Sequence, residues 1–86
     1  MNEEMLQVFK DCLYSKLNQK FRNVSIRCYY PDGSNALKVT IYAGDFRYCY
    51  YLDYIHERIS RGMTAGWVSE QIVRDFQGKM KKFYFY

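Results

Sequence analysis

Residues 24–52 read VSIRCYYPDGSNALKVTIYAGDFRYCYYL, and this stretch decides the fold. Apolar and polar side chains alternate through most of it, which is the period of a β-strand with one buried face. Turn-forming residues interrupt the alternation at 31–35 and again at 44–45. The pattern predicts three consecutive strands joined by two turns, and therefore an antiparallel sheet.

The turns also predict how the strands pair, because residue numbers across an antiparallel pair have a constant sum. With Tyr30 opposite Leu37 and Ala43 opposite Phe46, the alternating side chains of all three strands line up into two consistent faces of the sheet. One face is apolar, and we expect helices to cover it. Its cross-strand rows are Val24-Ala43-Phe46, Ile26-Ile41-Tyr48, Cys28-Val39-Tyr50 and Tyr30-Leu37-Leu52. The other face is polar, basic and aromatic, with the rows Ser25-Tyr42-Arg47, Arg27-Thr40-Cys49 and Tyr29-Lys38-Tyr51.

Helical periodicity on both sides of this stretch predicts the covering layer. Residues 3–20 carry a helical stripe, after which 55–62 suggest a short helix ending at Gly62 and 64–83 a longer one capped by Thr64. The stripes consist of Leu6, Phe9, Leu13 and Leu17 in the first helix and of Val68, Ile72, Phe76 and Met80 in the last. The predicted fold is α+β, a three-stranded antiparallel sheet with helices packed on one face, in the order α-β-β-β-α-α.

Length and composition restrict the class of protein. The chain has 86 residues, of which 49% are hydrophobic and 20% aromatic, so we expect one folded domain spanning residues 1–86. The sequence contains no apolar run of membrane-spanning length, and its acidic start Met1-Asn2-Glu3-Glu4 differs from a secretory signal. We therefore expect a cytoplasmic protein. Its three cysteines lack metal-binding spacing and are predicted to be free thiols, namely Cys12, Cys28 and Cys49.

Catalytic signatures are missing from the sequence. His56 is the only histidine, and although Glu57 follows it, no nucleophile motif accompanies the pair. The chain has no Gly-x-Ser-x-Gly frame, no glycine-rich phosphate loop and no carboxylate cluster of metal-binding spacing. We predict a protein without enzymatic activity, metal or cofactor.

The polar sheet face is the leading candidate for binding. Tyrosine offers rigid contact area and arginine offers forked donors, and together they are common at interfaces. The predicted partner-binding residues are Arg27, Tyr29, Lys38, Tyr42, Arg47 and Tyr51. The alternative is that these long side chains only shelter the solvent side of the sheet.

Residues 79–86 are a second candidate, because a lysine run precedes four consecutive aromatic residues. Accessory binding is predicted for Lys79, Lys81, Lys82 and Tyr84, although lysines also suit the C-terminal end of a helix. The segment is expected to fray as a tail. Its aromatic side chains either pack back along the sheet or meet a partner. Trp67, near the start of the last helix, is expected to serve packing more than binding.

Two resemblances add expectations. The α-β-β-β-α order resembles the double-stranded RNA-binding domain, but the loop at 31–35 has no histidine and the last helix opens with Thr64-Ala65-Gly66-Trp67 where that family has lysines. The short, tyrosine-rich α+β chain also resembles small proteins of phages and prophages of Gram-positive bacteria, among them anti-CRISPR inhibitors. That resemblance implies stoichiometric inhibition of a host defence nuclease, without catalytic residues.

The sequence thus favours a small phage-type protein that binds a host protein, such as a CRISPR effector, through the polar sheet face. The alternative is a nucleic-acid-binding module that uses the same face for base stacking, with the lysine run at 79–82 contacting phosphates. The net charge of +4 favours anionic partners of this kind. A third hypothesis is a self-associating domain, a homodimer formed through the bare face or a strand edge.

Overall fold

The computed structural model describes residues 3–31, 33–60 and 64–85. Within them, the elements follow the predicted order α-β-β-β-α-α. They are α1 (Glu3–Lys20), β1 (Val24–Tyr29), β2 (Ala36–Ala43), β3 (Phe46–Asp53), α2 (Ile55–Ser60) and α3 (Ala65–Phe85). The α+β fold predicted from the sequence is confirmed.

The sheet has the order β1-β2-β3 and is antiparallel throughout, with the predicted register. Val24 faces Ala43 and Ala43 faces Phe46, as the constant sums require. In the last predicted apolar row Leu37 faces Leu52, whereas Tyr30 lies just beyond the end of β1. The tight turn between β2 and β3 depends on Gly44, whose φ of 61° lies in the left-handed region that glycine adopts without strain.

The core lies between the apolar sheet face and the helices α1 and α3. Fully buried side chains come from the α1 stripe, from β2, from α2 and from α3, and the largest are Phe9, Phe76, Leu13, Leu17, Leu37 and Ile41. Phe76 is the centre of an aromatic cluster, because its ring meets Phe21 at 5.5 Å and Phe46 at 5.2 Å between centroids. Edge-to-face contacts of this kind stabilise the fold beyond the free energy gained by burying the ring surfaces.

A polar link joins the two long helices. The Lys16 ammonium on α1 and the Arg74 guanidinium on α3 each lie 3.3 Å from the Glu70 carboxylate. The hydrogen bond from Lys16, followed by that from Arg74, lowers the pKa of Glu70 below its ordinary value. The link is solvated, so it contributes to orientation more than to stability.

The C-terminal segment departs from the sequence prediction, because α3 continues to Phe85 and does not fray at residue 79. The contacts of its last turns explain the difference. The Lys79 ammonium lies 4.9 Å from the centroid of the Tyr48 ring, and the Phe83 ring lies 5.2 Å from that of Phe46. Both contacts hold the end of α3 against the helix side of β3. None of the helices in the described residues is long and apolar enough to cross a membrane.

Candidate binding face on the sheet

The sheet face turned away from the helices carries all six predicted partner-binding residues. Because side chains alternate along a strand, the register brings them to one side of the sheet. We call this surface the open face and define it as Ser25, Arg27, Tyr29, Lys38, Thr40, Tyr42, Arg47, Cys49 and Tyr51. The pair Ala36 and Asp53 extends it by one row. The described helices leave the face exposed to solvent.

In one row of the open face, a lysine cation lies between two tyrosine rings. The Lys38 ammonium lies 5.7 Å from the centroid of the Tyr29 ring and 5.9 Å from that of the Tyr51 ring. Both distances are in the range of a cation–π contact. The side-chain hydrogen bond with Tyr29 raises the pKa of Lys38, with the nearby Tyr51 adding to the effect. The three side chains therefore hold one another in place across the three strands.

A shallow depression of about 290 Å³ lies next to this row. Its lining consists of Lys38, Thr40, Tyr42, Arg47, Cys49 and Tyr51. At its floor, Thr40 is only 8% exposed, and its hydroxyl donates to the Cys49 sulfur over 3.6 Å. The rim consists of exposed cations and aromatic rings. A shape of this kind fits a protruding side chain of a partner better than a small molecule, which needs a deeper enclosure.

The charge of the open face is positive. Arg27, Lys38 and Arg47 lie on it, and Asp53 is the carboxylate at its end. In the part of the chain that the structure describes, neither arginine forms an ion pair. Both guanidinium groups are therefore available to carboxylates or phosphates of a partner.

The accessory residues are not part of this face. Lys79 contacts Asp75 at 3.7 Å and the ring of Tyr48, both on the helix side of the sheet. Lys81 and Lys82 are exposed on α3, and the Tyr84 side chain lies outside the described residues. The structure therefore separates the lysine run from the open face, so the two do not form one site.

Trp67 and His56 are the two further residues that the sequence singled out. Trp67 is 53% exposed on α3, and its backbone N–H donates to the Thr64 hydroxyl, 3.0 Å away, which caps the helix. The tryptophan ring is therefore mostly outside the core, although a packing role was expected. The His56 side chain lies outside the described residues.

Sequence reasoning missed two features that depend on side-chain geometry. The position of Lys38 between two tyrosine rings follows from rotamers, although the predicted row already placed the three residues together. A concavity between α1 and the outer edge of β1 was also missed, and the packing of α1 across β1 produces it. Among the described residues, no three His, Cys, Asp or Glu side chains lie close enough together to hold a metal ion.

Comparison with known proteins yields no relative: no family model, no curated protein and no solved structure significantly matches this chain.

Proposed function

We propose that this chain is a non-catalytic binding protein of the cytoplasm, which attaches to the acidic surface of a protein partner through the open face. The observation that carries the proposal is the combination of exposed tyrosines with arginines that lack an ion pair in the described structure, all on one side of the sheet. Tyr51 is 61% exposed and Tyr29 45%. Such side chains are typical anchors of protein interfaces.

The position of Lys38 favours a protein over a nucleic acid. Base stacking needs free ring faces, and the Lys38 ammonium lies over one face of the Tyr29 ring and over one face of the Tyr51 ring. Carboxylates of a protein partner would instead meet Lys38 and Arg47 at the edge of the depression, while the tyrosine rings provide apolar contact. The same groups bind an acidic protein surface without rearrangement.

The resemblance to small phage and prophage proteins supports a narrower form of the proposal. In that form the partner is a host defence nuclease such as a CRISPR effector, and occupying its surface inhibits it. A chain without a nucleophile motif suits stoichiometric inhibition. The measurement is plaque formation by a targeted phage on Gram-positive cells that carry the defence system. We expect expression of the chain to restore plaques, and unchanged protection of the cells contradicts this narrower form.

The open face is tested with a double variant, Arg47→Ala with Tyr51→Ala. Both side chains are exposed, so we expect the melting temperature to change little while partner capture from host lysate falls at least about tenfold. The matched control is Trp67→Ala with Arg74→Ala, which removes one exposed aromatic ring and one arginine from α3. Equal capture by the double variant and the wild type refutes the role of the open face.

A further inference from the structure

Residues of β1 alternate between those whose backbone N–H and C=O groups bond to β2 and those whose backbone groups point away from the sheet. The Gly44 N–H donates to the Asn23 carbonyl over 3.4 Å, which makes Asn23 and Gly44 a hydrogen-bonded pair. In an antiparallel ladder such pairs alternate with pairs that exchange no hydrogen bonds. Ser25, Arg27 and Tyr29 therefore bond to β2, whereas the N–H and C=O groups of Val24, Ile26 and Cys28 point away from the sheet.

The other side of the sheet supports this assignment. The Tyr54 N–H donates to the Asn35 carbonyl over 3.2 Å, so the odd-numbered residues of β2 bond to β3. The even-numbered residues of β2 therefore form their backbone hydrogen bonds with β1, which agrees with the bonding of Ser25, Arg27 and Tyr29 to β2. The backbone groups that β1 directs outward have no backbone partner in the described residues.

A groove runs along this outer edge. Its volume is about 360 Å³, and α1 and β1 form its walls. The α1 wall carries Gln7, Lys10, Asp11 and Tyr14, and the β1 wall carries Val24, Ser25 and Ile26. An edge strand beside a helix is the setting in which an extended peptide can add to a sheet as a further strand.

The opposite edge of the sheet differs on its helix side. There Tyr50 donates to the Asp75 carboxylate of α3 at 2.6 Å, and Lys79 covers the ring of Tyr48. Side chains of α3 thus reach over β3, whereas the space beside β1 is open. A protein that leaves one edge open offers a template for pairing there.

Charge indicates what kind of strand this edge would accept. Lys10 lies on the helix side of β1 and Arg27 on the open face, and within the described residues neither forms an ion pair. The groove carboxylate, Asp11, instead accepts a hydrogen bond from the Gln7 amide at 2.8 Å. A strand whose apolar side chains face α1 would therefore direct its other side chains toward Arg27, which suits carboxylates. The net charge of +4 disfavours a second copy of this chain in the same place.

We propose that the outer edge of β1 binds an extended acidic segment of a partner protein as a fourth strand in the groove beside α1. The backbone of Val24, Ile26 and Cys28 would supply the main-chain hydrogen bonds. Apolar side chains of the segment would pack toward Ile26 and Tyr14 on the helix side, and its carboxylates, which alternate to the other side, would meet Arg27 on the open face. This edge is distinct from the depression of the open face, and the inference holds whether or not the open face binds.

The test is amide hydrogen exchange by NMR with a synthetic peptide that alternates Val and Glu. In the free protein, we expect fast exchange at Val24, Ile26 and Cys28 and slow exchange at the amides of Ser25, Arg27 and Tyr29. Saturating peptide should slow exchange at the first set at least about tenfold, because each amide gains a bonded partner. A peptide alternating Val and Lys, and a Val/Glu peptide interrupted by prolines, should leave it unchanged.

Variants separate this edge from the open face. Arg27→Glu, on the edge strand itself, should weaken binding of the Val/Glu peptide roughly tenfold, whereas Tyr51→Ala, on β3, should leave it unchanged. Three outcomes overturn the proposal. They are slow exchange of the outward amides in the free protein, peptide binding without protection of these amides, and equal protection by the Val/Lys peptide.

Discussion

Cys28 shows how a single position on the sheet determines reactivity. Its side chain lies on the helix side of β1, where burial raises the pKa of the thiol to about 11, an effect that Lys10 only partly offsets. The thiolate is the nucleophile, so at pH 8 about one thiol in a thousand is reactive. We expect the alkylation rate of Cys28 by iodoacetamide, followed by peptide mass spectrometry, to rise about tenfold per pH unit from 8 to 10. A rate that levels off near pH 9 would show that the thiol is not buried in this way.

At the residue scale, the sequence predicted which face of the sheet a side chain occupies, but it did not predict which groups that side chain contacts. The alternation of residues 24–52 placed Tyr29, Lys38 and Tyr51 in one row, and the structure confirms the row. It did not reveal that the ammonium lies between the rings, because rotamers depend on three-dimensional neighbours. Trp67 illustrates the same limit, since a lone aromatic residue carries no signal of which side of a helix end it occupies.

The element that closes the core is α3, and two of its phenylalanines allow a matched comparison. Phe76 is fully buried against Phe21 and Phe46, whereas Phe83 is 60% exposed although its ring also contacts Phe46. We expect Phe76→Ala to lower the free energy of unfolding by about 3–5 kcal/mol, through lost burial and the cavity it leaves. Phe83→Ala should cost about 1 kcal/mol or less. Urea denaturation measures both, and equal losses would contradict the packing described for α3.

Elements were predictable where the pattern was periodic. The three strands, their register and the order of the helices followed from alternation, turn residues and constant sums, because a shift of one residue would expose the apolar face of β2. The end of α3 was not predictable in this way. Aromatic residues following a lysine run have weak helical signals of their own, and the helix is extended by tertiary contacts of Lys79 and Phe83 with β3.

For the whole molecule, the distribution of charge separates the two functional hypotheses. The open face carries the cations Arg27, Lys38 and Arg47, and three phosphate contacts with a single strand would give a slope of about −2 in a plot of log affinity against log salt concentration. The lysines of α3 cannot add to this site, because Lys79 contacts the helix side of the sheet.

Fluorescence anisotropy with labelled single-stranded and double-stranded oligonucleotides, at low and at physiological salt, measures the slope. We expect weak binding at low salt and none at physiological salt, because Lys38 already covers one face of the Tyr29 ring and one face of the Tyr51 ring. Tight binding with a slope near −2, lost on Tyr51→Ala, would instead establish the open face as a stacking platform and contradict the assignment of a protein partner to it.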